Sequence, residues 1–144
     1  MRFQNSCFQF EDFLGDQLPL PGYYPCSITS ARFRRSANDN RMLQVVYALE
    51  GVGSACPMVA DYFVLEGPRI SPAGIVLSRR RLVELYQACG LDPKEGEPIA
   101  PGALVDARLQ VRVEHEHWEG RPRLRVAAYR PFECLDCEAE PIPF

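Results

Sequence analysis

Lysine is almost missing from this chain. Of its 16 basic residues, 15 are Arg and one is Lys94. Tryptophan occurs once and histidine twice. No apolar run approaches the roughly 20 residues that a membrane-spanning helix needs, so no membrane association is expected. The opening stretch MRFQNSCFQFEDF has no apolar core and carries Glu11 and Asp12, which argues against a secretory leader. With no sign of an oxidising compartment, Cys7, Cys26, Cys56, Cys89, Cys134 and Cys137 are expected as reduced thiols of a cytoplasmic protein. There is no collagen period, heptad run or tract of one charge sign, which excludes fibrous and coiled-coil classes.

Catalytic signatures are missing as well. The chain has no Gly-rich phosphate loop, no GxSxG, no HExxH and no DxDxDG. His115 and His117 fall on one face of a strand, but no third ligand follows at a matching spacing. Cys134 and Cys137 form a single CxxC, and zinc usually takes two such pairs. No metal, cofactor or catalytic residue is therefore expected, and the chain reads as a binding protein rather than an enzyme.

What is present is one domain's worth of sequence: 144 residues, 47% of them hydrophobic, with 13 Pro and 10 Gly that favour many short strands. Charge is uneven. Residues 132–144 hold four acids and no base, and the rest carries 16 bases and 15 acids, a net +1. Three parts follow: an extension over 1–17, a domain over 18–131, and an acidic tail over 132–144 expected to be disordered.

Alternating apolar residues predict a first strand over 23–35 and a second over 41–50, where Leu43, Val45, Tyr47 and Leu49 share a face. A third strand is predicted over 56–65, with Tyr62 and Val64 facing out. The period then changes. Ser78 reads as a helix N-cap, Leu82, Leu85, Tyr86 and Cys89 follow at helical spacing, and Gly90 supplies the stop. Arg79, Arg80 and Arg81 would then oppose the helix dipole, a misfit that hints at an anion. A fourth strand is predicted over 103–116, placing Asp106 and Arg112 outward. The fifth, over 123–130, is predicted to turn Leu124, Val126 and Ala128 in and Arg123, Arg125 and Tyr129 out. Three strands, a helix and two strands describe an all-β fold, a five-stranded OB-like (oligonucleotide/oligosaccharide-binding) barrel with its one helix between strands 3 and 4.

Ligands of such a barrel meet the face of strands 2 and 3 and the loops 1–2 and 4–5. Here Arg34, Arg35 and Arg41 flank the first loop, and Trp118, Arg121 and Arg123 the second. Tyr62, Arg112, Arg125 and Tyr129 would extend the surface. Cations that follow phosphates and aromatic rings that stack bases are what a single-strand site requires.

Two resemblances bear on function. The acidic end closing in Ile142-Pro143-Phe144 resembles the C-terminal tip of bacterial single-stranded-DNA-binding proteins. The resemblance implies docking of replication or recombination partners through these three residues, with the Phe in an apolar pocket and its carboxylate on a base. Leu20-Pro-Gly-Tyr-Tyr24, Met42-Leu-Gln-Val-Val-Tyr-Ala-Leu-Glu-Gly51, the 82–91 helix and the 102–131 stretch are similar to a family of uncharacterised phage and mobile-element proteins. That likeness implies an OB-like fold working near recombination. The function expected is a homo-oligomeric protein that coats single-stranded DNA and recruits partners through its tail. The alternative is an OB-like interaction adaptor without nucleic acid, which the near-neutral body favours.

Overall fold

The computed structural model describes residues 18–50, 57–68 and 70–132. Five strands and one helix make up its regular structure: β1 Gly22–Arg35, β2 Arg41–Leu49, β3 Met58–Glu66, α1 Pro72–Ala88, β4 Arg108–Trp118 and β5 Arg121–Pro131. A 3-10 turn over Pro101–Leu104 precedes β4. The strands form a single antiparallel sheet in the order β3-β2-β1-β4-β5.

β1 is the shared member. Its first half, Gly22 to Ser27, pairs with β4, and Cys26 to Arg35 pairs with β2. An extra residue, Thr29, sits between Ile28 and Ser30 where the β1–β2 register shifts. Such a bulge bends a strand and raises its twist, which suits one strand serving two neighbours. The alternation of β2 was legible in sequence. Leu43, Val45, Tyr47 and Leu49 are buried, as are Val59, Phe63 and Leu65 of β3 and Leu109, Val111 and Val113 of β4. Leu82, Leu85 and Tyr86 of α1 complete the core.

The helix starts earlier than Ser78. Ser71 is the N-cap, its Oγ accepting from the Gly74 amide at 3.1 Å, and Pro72 takes the first turn, where a missing N–H costs nothing. Arg79 to Arg81 consequently lie in mid-helix, and the dipole argument for an anion there falls away. Gly90 ends the helix as expected. At φ +83 it lets its own amide reach Gln87 O and the Leu91 amide reach Tyr86 O, closing the last turn. β4 also begins later than predicted, at Arg108. Asp106 is in a left-handed turn (φ +72), its amide donating to Ile28 O, and not on the strand's outward face.

Backbone ladders join neighbours from β3 across to β5, but none joins β3 to β5 among the described residues. Side chains bridge that seam instead. The Tyr129 hydroxyl on β5 donates to Asp61 Oδ2 on β3 at 2.5 Å, and the Phe63 and Tyr129 rings lie 6.4 Å apart. Helix α1 packs against both edge strands. No helix among the described residues is long and apolar enough to cross a membrane.

Candidate nucleic-acid interface

Beyond the bulge, β1 turns Arg32 and Arg34 to the outward side, level with Gln44 and Met42 of β2. Tyr62 of β3 is level with Gln44 on its other side. A chain of hydrogen bonds crosses the three strands. Arg34 Nη1 donates to Gln44 Oε1 at 2.9 Å, and Gln44 Nε2 donates to the Tyr62 hydroxyl at 3.2 Å. Tyr62 keeps 45% of its surface exposed, and exposed Met58 lies on the same face. The relay holds a cation, an amide and a phenol ring in fixed order without neutralising the cation.

At the hairpin end of β1 and β2, Phe33, Arg34, Arg35 and Arg41 line a shallow recess of about 310 Å³, in which Phe33, Arg35 and Arg41 share the parity of buried Leu43 and only Arg34 belongs to the outward face. The Arg41 guanidinium lies 5.0 Å from the centre of the Phe33 ring and pairs with Glu66 at 3.2 Å. Arg35 pairs with Asp39, also at 3.2 Å. These pairs are well exposed and worth only about 0.2–1 kcal/mol each, so breaking them costs little. Gly67 lies against the β1–β2 turn. A Cβ there would fall 2.1 Å from Asn40 Oδ1, so the chain leaving β3 presses directly on the β1–β2 turn.

The second expected group assembles differently. Arg112, Arg123 and Arg125 do gather on the outward side of β4 and β5, but around two carboxylates. Arg112 and Arg125 reach Glu114 at 3.3 and 2.8 Å, and Arg123 reaches Glu116 at 2.6 Å. The result is an ion-pair network with a small net charge, not an open cationic groove. Trp118 and Arg121 pair by register across the β4–β5 hairpin. That hairpin and the β1–β2 hairpin lie beyond opposite ends of β1, so the two Arg groups do not form one patch.

Tyr129 is turned inward, contrary to the expected outward placement. The β4–β5 register runs Arg112↔Ala128 and then Val113↔Val126, leaving Ala127 as an extra residue. One extra residue moves every later side chain to the other face. Tyr129 therefore joins a buried cluster the sequence reading missed. Asp61, 6% exposed, accepts from the Tyr47 hydroxyl at 3.1 Å, the Tyr129 hydroxyl at 2.5 Å and Arg81 Nη2 at 2.8 Å. Arg81 also lies 4.8 Å from the centre of the Phe63 ring. Burial, followed by the Asp61 charge, holds the Tyr47 and Tyr129 phenols well above their ordinary range. Burial is the largest single influence and works against the Arg81 cation, but Asp61 and Tyr129 together outweigh it and raise the Arg81 pKa. One signal was available: an acid on the inward parity of β3, between Val59 and Phe63, demands a buried cationic partner.

Ile142, Pro143 and Phe144 lie outside the described residues, as do the extension over 1–17 and most of the tail. Neither a protein-family model nor a curated protein matches the chain.

Proposed function

We propose that this protein binds single-stranded DNA through the outward face of β1, β2 and β3, coats it during replication or recombination, and recruits a partner through its acidic tail and Ile142-Pro143-Phe144. The architecture behind the proposal is OB-like. The strand order in sequence and in the sheet, the helix between the third and fourth strands, and the packing of that helix on both edge strands all agree with that barrel. The observation that carries the function is the Arg34–Gln44–Tyr62 relay. It offers a stacking ring and a cation not neutralised by a carboxylate on a face that such barrels use for ligands. The chemistry asks nothing of the protein but binding: phosphates meet the arginines and bases lie on Tyr62. A cytoplasmic setting, a phage or mobile-element origin and self-association belong to the same proposal.

The test is a fluorescence-anisotropy titration of labelled oligo(dT) at two salt concentrations, with a duplex control. Salt-sensitive binding that prefers the single strand, and weakens at least about fivefold in Tyr62→Ala, supports the proposal, since a stacked base contributes about 1–3 kcal/mol. Absence of binding at low salt overturns it. A second reading, an interaction adaptor, is favoured by one feature: α1 exposes Val76, Leu77 and Val83 to solvent. Under that reading Tyr62→Ala and Arg34→Ala leave partner capture unchanged, and substitutions on the helix abolish it.

A further inference from the structure

We infer that the outward face of β1, β4 and β5 is a second stretch of the same DNA path, centred on Tyr23, Gln110 and Arg130, and that Arg130 covers it until a strand arrives. This rests on the single-strand reading proposed above and extends it to residues outside the recess and the relay. Gln110 is outward by register, beside Pro25 on β1 and Arg130 on β5, yet only 2% exposed. Arg130 is in direct contact with it. Its Nε donates to Gln110 Oε1 at 2.6 Å, and its guanidinium lies 3.9 Å from the centre of the Tyr23 ring. Arg is a donor only, so this contact fixes which end of the amide faces it. Gln110 Nε2 is left buried without an acceptor.

An orphaned buried donor lowers stability, and native proteins carry few of them. Here a ligand supplies the missing acceptor. Arg130 pairs with no carboxylate among the described residues, unlike Arg112, Arg123 and Arg125. Its flat cation occupies the ring face on which a base would stack. A phosphate draws the guanidinium off Tyr23, a base takes its place, and the uncovered Gln110 amide donates to that base's edge. The way from Tyr62 to Tyr23 crosses the outward side of β1, where Pro25, Ser27 and Ser30 are small.

The test compares oligo(dT) of roughly 6 and roughly 20 nucleotides, one near the lower end and one beyond the upper end of the roughly 4–16 nucleotides that one such domain covers. Wild type, Tyr23→Ala, Arg130→Ala and Gln110→Leu are titrated with both. Gln110→Leu removes the orphan and keeps the volume, so it is expected to fold at least as stably, with an unchanged or raised Tm. All three variants should bind the short oligonucleotide as wild type does and lose about fivefold or more on the long one. Wild-type-like affinity for the long oligonucleotide in all three overturns the inference and leaves the β1–β3 reading standing. Equal loss on both lengths also overturns it, since the two faces would then be one site. If wild type binds neither length, the single-strand reading fails and this inference fails with it.

Discussion

Asp61 is where the fold concentrates its polar energy. Three donors from β2, β5 and α1 meet one buried carboxylate, so removing it strands all of them. Asp61→Ala should cost about 2–3 kcal/mol in denaturant unfolding. That is below the roughly 3–5 kcal/mol typical when a fully buried pair loses one partner, because the Arg81 side chain is 36% exposed and partly screened. A loss under about 0.5 kcal/mol, the level of an ordinary surface change, contradicts the clasp. Thiols and phenols add a pH dependence. Burial pushes Cys26 from 9.0 up to about 12 and Cys89 from 9.0 up to about 11. Tyr47 and Tyr129 move in the same direction from 10.0. Each group keeps its proton longer in the folded chain than in the unfolded one. Their contribution is thus complete below about pH 9 and lost as pH rises from there toward 11 and 12. Tm should hold up to about pH 9 and fall steadily above it. A flat Tm between about pH 9 and 11 contradicts the burial of these groups.

At the scale of elements, the helix start gives a direct test. Ser71→Ala removes the hydroxyl that accepts from the Gly74 amide and should cost about 1 kcal/mol. Ser78→Ala, inside the helix, should be neutral or slightly stabilising, since Ala has the higher propensity. The reverse result would restore the later start. Sequence pointed to Ser78 because Pro72 and Gly74 look like breakers. Pro72 is instead a first-turn residue, and Gly74 is there because Ile70 packs onto that turn, 3.0 Å from where a Cβ would be. Strands were legible wherever one face is buried and the other is not, as in β2 and β3. Bulges were not, because an extra residue such as Thr29 or Ala127 has no composition of its own and is defined only by its partner strand. Arg34 also lies beyond a bulge, but it was placed only by its position beside the β1–β2 turn, which needs no face, whereas Tyr129 was assigned a face that the Ala127 bulge reverses. The site suffered in the same way. Arg112, Arg123 and Arg125 were found as a group, but the Glu114 and Glu116 that pair with them depend on the β4–β5 register. Gln44, Gln110 and Arg130 carry no signal in sequence, since their importance lies in what stands beside them.

The molecule as a whole carries a formal charge of −3, a poor starting point for a polyanion binder. Under the proposed single-strand reading affinity must then come from local cations, and the fold separates arginines without a carboxylate partner from those already paired. Among the described residues Arg32, Arg34 and Arg130 have no carboxylate partner, whereas Arg112 and Arg125 are tied to Glu114. If about three phosphates are neutralised, the log-log salt slope for a single strand is near −2, and affinity falls about 20-fold between 50 and 200 mM salt. Arg34→Ala and Arg130→Ala should each lower the slope by about 0.7, the value of one phosphate on a single strand. Arg112→Ala should change it by less, because releasing Arg112 from Glu114 offsets what the new phosphate contact contributes. A slope near −5 or steeper would mean that the β4–β5 ion pairs open and join the binding surface. Arg112→Ala would then match Arg34→Ala, and the distinction between engaged and available arginines would be wrong.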